Sequence, residues 1–138
     1  IKEIHLVGQH DPQETRNEHY CRRWPGISIL EEEVGPNERK FITQISKFEN
    51  HGHRYFEIAM AKTTPDGRKE SITLGIEMDE NTHAKISFLE DARVPRKEVG
   101  QTCEKCALFD CRERVAAPVV LHRQRKLKEI QTAIDSLR

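Results

Sequence analysis

The chain has four cysteines: Cys103, Cys106 and Cys111 lie together near its end, and Cys21 stands far upstream. The cluster reads C-E-K-C-A-L-F-D-C, a C-x2-C-x4-C run. Four thiolates are what a tetrahedral metal or a cubane iron–sulfur cluster takes, and none is left over. If they act together, the fold must return Cys21 to the loop that carries the other three. Disulfides are the competing use, but small secreted disulfide domains are usually shorter and denser in cysteine. No signal peptide is visible and no apolar run approaches the length of a membrane helix, which points to the cytoplasm, where C-x2-C spacing means metal or redox chemistry first.

Zinc and iron–sulfur predict different spacings. Structural zinc sites are most often two knuckles, each giving a ligand pair. One triplet with a remote single suits a [4Fe–4S] cluster better, with zinc as the alternative. His19, just before Cys21, could replace a thiol in a mixed zinc site.

At 138 residues the chain is long enough for one domain with a core and too short for two ordinary ones. Aromatic content is 6% and charged content 33%, so the core is lean and ligated thiols would carry a real share of the folding free energy. Lys+Arg and Asp+Glu balance at 23 each, so net charge makes no case for nucleic-acid binding by this segment. A start at Ile1-Lys2 suggests a C-terminal piece of a longer protein, so residues 1–138 are read as a single regulatory domain.

Residues 1–9 could form a short strand ended by the turn at Asp11-Pro12. Pro25 suits a first helical turn, and Ile27, Leu30 and Val34 are spaced for a short helix closed by Gly35-Pro36. Three strands follow: Phe41 to Phe48, then Tyr55 to Ala61 with Phe56, Ile58 and Met60 on one face, then an alternating Ile72, Leu74, Ile76 and Met78. His51-Gly52-His53 makes the first turn, more simply a polar turn than a metal pair. Thr64-Pro65-Asp66-Gly67 makes the second. The meander predicts an antiparallel sheet with one covered face, a short helix after Asp79 and a fourth strand over Ile86 to Leu89. Strands in the middle with helices on either side predict an α+β fold of GAF-like or PAS-like architecture, helices packed on the sheet. From Pro118 to the end, Val120, Leu127 and Ile134 recur every seven residues, with Ile130 and Leu137 between them. This is an amphipathic helix over 118–138, either laid on its own sheet or paired with a second chain. Arg123 interrupts the stripe.

Several segments together resemble one family. Cys21-Arg22-Arg23-Trp24 matches a Cys-x-x-Trp element. Arg54-Tyr55-Phe56 with Ile58-Ala59, Leu74-Gly75, His83-Ala84, and Gly100 through Pro118 with its Asp110-Cys111 pair follow in order. Across residues 21–118 the chain is similar to the C-terminal domain of bacterial short-chain fatty-acyl transcriptional regulators. Those proteins carry an N-terminal helix-turn-helix and control propionate, methylcitrate and glyoxylate-cycle genes. The resemblance implies a GAF-like sensing domain that binds coenzyme A or a short acyl-CoA, can carry an iron–sulfur cluster, and reaches DNA only through an N-terminal domain absent from this chain.

Such an effector needs cations for phosphates and a flat face for adenine. Arg22 and Arg23 beside Trp24, and Arg54 beside Tyr55, pair those properties. No G-x-S-x-G, H-E-x-x-H or phosphate-cradling glycine loop is present, so the reading is a non-enzymatic sensor that forms a homodimer, without a membrane role. The alternative is a zinc-stabilised dimerisation module that binds no effector.

Overall fold

The computed structural model describes residues 18–50 and 52–137. The strand expected over 1–9, the turn at Asp11 and the side chain of His51 lie outside them. The elements run α1 (Pro25–Ser28), a 3-10 turn (Ile29–Glu31), β1 (Arg39–Phe48), β2 (Arg54–Thr63), β3 (Lys69–Glu77), α2 (Glu80–Lys85), a second 3-10 turn (Ser87–Glu90), β4 (Arg96–Val99) and α3 (Val119–Asp135).

The fold is α+β, but the sheet is mixed, in the order β3-β2-β1-β4. β1, β2 and β3 form the expected antiparallel meander, with Ile45 opposite Phe56 and Phe56 opposite Ile76. In the β2–β3 turn Gly67 takes φ +83°, a conformation that side chains resist, and its N–H donates to the Thr64 carbonyl. The expected fourth strand over Ile86 to Leu89 is instead the second 3-10 turn, which inserts Leu89 into the core. The fourth strand is the charged segment Arg96–Val99, and it pairs parallel to β1. The helix at Pro25 is also shorter than expected. It ends at Ser28, and Ile29 rather than Leu30 or Val34 is fully buried.

Both faces of the sheet are used, which corrects the expectation of one covered face. On one face Ile45 and Phe56 pack with Leu89 and Val94. On the other, Ile29 packs with Ala59 and Ala61, where the small strand residues leave room for α1 and its following turn. The Ser71 hydroxyl donates to the Gly26 carbonyl, so α1 sits over the polar side of β3. The apolar side of β3 is covered only at its Ile76 end. Ile72 and Leu74 are 67% and 59% exposed, and Phe41 is 62% exposed on the same face.

A polar chain crosses the α1 face. Gln44 Nε2 donates to the Arg23 carbonyl and to Ser46 Oγ, and the Ser46 hydroxyl donates to Glu57. Gln44 and Ser46 are buried. Burial raises the Glu57 carboxyl above the usual carboxylate range, and the Ser46 hydroxyl only partly opposes this. A raised folded value favours the protonated acid, so this contribution is present at low pH and is lost as pH rises above the unfolded value of about 4.3. Glu57→Gln keeps an acceptor for Ser46 and removes the titration. The variant is expected to melt higher than the parent at pH 7 and to lose part of the parent's decline between pH 5 and 8. Identical melting curves across that range would refute the assignment.

Candidate functional site

Cys21 does return to the cysteine loop. The segment before it runs antiparallel to the loop's first residues, with Tyr20 bridged to Thr102. The Cys21 N–H donates to the Gln101 carbonyl at 3.0 Å, and the Cys103 N–H donates to the His19 carbonyl at 2.8 Å. The Cys106 N–H then donates to the Cys103 carbonyl and the Cys111 N–H to the Leu108 carbonyl, so each cysteine sits at a tight turn. All four are free thiols. Cys21, Cys103 and Cys106 are buried and Cys111 is half-buried.

Three features hold the loop in this shape. Gly100 lies against Cys106, and a Cβ there would stand 2.7 Å from its sulfur. The Leu108 N–H donates to Cys106 Sγ at 3.4 Å, a contact suited to a sulfur bearing negative charge. The Arg114 guanidinium lies inside the loop. Its Nη1 donates to the Cys103 carbonyl at 2.7 Å, and its Nη2 donates to the carbonyls of Leu108 at 2.9 Å and Cys106 at 3.1 Å. Its Nε is buried without a partner.

Burial pushes the Cys21 thiol up, with nearby Cys106 and Cys111 acting the same way, while N–H groups of Gly100 and Arg23 oppose them. Cys106 is likewise raised, by burial first and by Glu49 and Cys111 in addition. Cys21, Cys106 and Cys111 are therefore near enough to act on one another's charge. Among the described residues, however, no three His, Cys, Asp or Glu side chains stand close enough to hold a metal ion as placed. The donor set fits a thiolate centre in type, number and burial, and ligation would need the sulfurs to close in further.

His19 is engaged elsewhere. Its Nδ1 meets Glu104 Oε1 at 2.7 Å, and its backbone N–H donates to the other oxygen of that carboxylate at 2.9 Å. Burial acts to raise the Glu104 carboxyl, but the His19 hydrogen bonds prevail and hold it below its ordinary value. The Glu104 carbonyl accepts the N–H groups of Val120 and Leu121, each at 3.1 Å, so the loop also anchors the first turn of α3. Phe109 reinforces the anchor, stacking on His122 with centroids 6.2 Å apart and lying under the Arg125 guanidinium at 5.4 Å.

The cationic residues divide. Arg22 pairs with Glu31 at 2.9 Å, and Arg23 Nε, which lacks a hydrogen bond, lies 3.8 Å from Glu113. Trp24 donates its indole N–H to the Gly100 carbonyl at 2.9 Å and joins a row of rings from Tyr20 through Phe48 to Tyr55. Arg54 is exposed and projects from the opposite face of β2 to Tyr55, away from Arg23. An open cleft of about 640 Å³ lies beside the cysteine loop, where Arg22 is joined by Lys97, Arg112 and Arg114, with Glu31, Glu32 and Glu113 on the same walls. The last three cations were missed by sequence reasoning. The signal for two of them is in C-R-E-R, which places Arg112 and Arg114 directly after Cys111.

Gly100→Ala is expected to cost about 1–3 kcal/mol, since overpacking a filled site forces its neighbours to shift. Cys106 should react faster with a thiol reagent, because it is the group displaced. Arg114→Met should lower the melting temperature more, as it leaves inward-facing carbonyls without donors at about 1–3 kcal/mol each. Unchanged melting for Arg114→Met would show the loop to be held by other means.

No curated protein and no solved structure matches the chain. The family model described as short-chain fatty acyl coenzyme A regulator, C-terminal, matches residues 9–135, from ahead of Cys21 to the last turn of α3. The chain therefore belongs to the short-chain fatty acyl coenzyme A regulators and carries their C-terminal domain.

Proposed function

We propose that the chain is the effector-sensing domain of a cytoplasmic transcriptional regulator, binding coenzyme A or a short acyl-CoA as a homodimer without catalysis. The observation that carries this reading is the cleft where Arg22, Lys97 and Arg112 meet against the cysteine loop, in a chain of this family. Guanidinium and ammonium groups suit a polyphosphate, and Arg23 stands close by to contribute. Trp24, fixed to Gly100, offers a ring near the same loop, and Tyr55 continues the aromatic row behind it. Contact with DNA belongs to the N-terminal helix-turn-helix domain that the resemblance implies.

In the same reading Cys21, Cys103, Cys106 and Cys111 ligate one [4Fe–4S] cluster. Bound there, such a cluster supplies a one-electron redox centre. The chain's own contribution is the Leu108 N–H at sulfur, the Arg114 charge behind the loop and the burial of three thiols.

Two measurements test this. Anaerobically purified protein is expected to be brown with about four irons per chain, whereas a colourless protein with one zinc supports the structural alternative. Cys21→Ser should lose the metal and destabilise the domain by several kcal/mol, on the order expected when ligation and folding are one equilibrium. Coenzyme A, acetyl-CoA or propionyl-CoA at a hundredfold excess over its Kd should add about 2.7 kcal/mol of stability. Arg22→Gln and Arg112→Gln should each weaken that effect. No heat and no stabilisation at millimolar ligand would refute the effector assignment.

A further inference from the structure

α3 has no buried residue, and beyond its half-buried Val120 and Leu121 its large apolar side chains face solvent: Leu127 is 59% exposed, Ile130 47% and Ile134 46%. Its first turn is held by the Glu104 carbonyl, and His122 and Arg125 are held by Phe109. At about 100° per residue, His122 and Arg125 lie on a face roughly 140° from the stripe of Val120, Leu127, Ile130, Ile134 and Leu137. The loop thus grips the polar side of α3 and turns the apolar stripe outward. With its root fixed in this way, the helix does not lie on its own sheet, and no element among the described residues covers the stripe.

Resting on the dimer in the reading above, we infer that the partner is α3 of a second copy, laid antiparallel. The stripe is self-complementary in that direction. Centred between Lys128 and Glu129, Val120 meets Leu137 of the second copy, Leu127 meets its Ile130, and Arg123 meets its Ile134. Arg123 decides the orientation. A parallel pair would set the two Arg123 guanidiniums side by side in an apolar seam, an arrangement with large desolvation and repulsion costs. The antiparallel pair instead brings each Arg123 to the end of the other helix that carries Asp135, within the reach of a long side chain. The rest of the charge agrees. Arg123, Arg125 and Lys126 fall in the first half of α3, Lys128 and Glu129 offset each other just past its middle, and Asp135 closes the second half. Antiparallel packing also opposes the two helix dipoles. It sets the two domain bodies at opposite ends of a helix about 26 Å long, where they do not compete for space.

The test is a charge exchange read by sedimentation equilibrium on the full chain, with circular dichroism as the check on folding. Arg123→Asp and Asp135→Arg should each weaken the dimer at least tenfold, since each leaves like charges facing. An equimolar mixture of the two variants should associate again, because each then supplies the charge the other lacks. Spin labels carried on a non-natural residue at position 136 should lie about 22 Å apart or more across the dimer, the rise of fifteen helical residues. A helix-pair spacing of about 10 Å would mean parallel packing and overturn the orientation. A dimer indifferent to both substitutions would overturn the α3 interface while leaving dimerisation in place. A wild-type chain that stays monomeric at hundreds of micromolar would overturn both. None of these outcomes bears on the effector or the thiol centre, which are read by heat and by colour.

Discussion

Glu104 is where three separate parts of the chain are joined. Its carboxylate takes two hydrogen bonds from His19, its carbonyl takes two from the first turn of α3, and its neighbours Cys103 and Cys106 sit on either side in the loop. A carboxylate only 5% exposed is costly unless its lone pairs are filled, and here the N-terminal segment fills them. The same contact therefore closes the long circuit that returns Cys21 to the other thiols. Lys105 and Thr102 strengthen that closure through Glu18, at 2.9 and 3.0 Å. Arg114 plays the matching part on the other side. With a cation among its inward-facing carbonyls, the loop keeps its shape without an apolar interior of its own.

This arrangement suits a chain with a lean core. The two buried clusters are small, one on each face of the sheet, and neither extends to the cysteine loop. The loop is tied to the sheet by polar contacts: the Ala107 N–H donates to Glu49 at the end of β1, and Trp24 donates to Gly100. A region joined in this way draws less on apolar burial than the strands do, since each hydrogen bond contributes only about 1 kcal/mol net. A centre that ligated the thiols would add cohesion where the protein has least of its own.

What could be read in the sequence follows what leaves a periodic trace. The three central strands were legible because Phe56, Ile58 and Met60 alternate and Thr64-Pro65-Asp66-Gly67 marks a hairpin. α3 was legible from its heptad spacing. β4 was not, because R-K-E-V carries no alternation and pairs parallel at an edge, where backbone register decides and side chains do not. The exposure of Ile72 and Leu74 was not legible either. Alternation identifies which side chains share a face but says nothing about whether an element covers that face. Glu104 and Arg114 stayed hidden for a related reason, since charged residues between cysteines read as solvated until a partner from elsewhere in the chain is seen.

The placement of α3 gives the cysteine loop a second consequence. The helix is rooted at the Glu104 carbonyl and against Phe109, and both lie between cysteines of the C-x2-C-x4-C run. Residues 103–111 thus carry three of the four thiols. That backbone is also the mount of α3, and a helix about 26 Å long turns a small rotation at its root into a displacement of several ångströms at its tip. The loop that carries the thiols therefore also sets the direction of the outward stripe. His122 and Arg125, both exposed, meet Phe109 through a ring stack and a cation–π contact, and α3 has no buried residue that would tie it to the sheet.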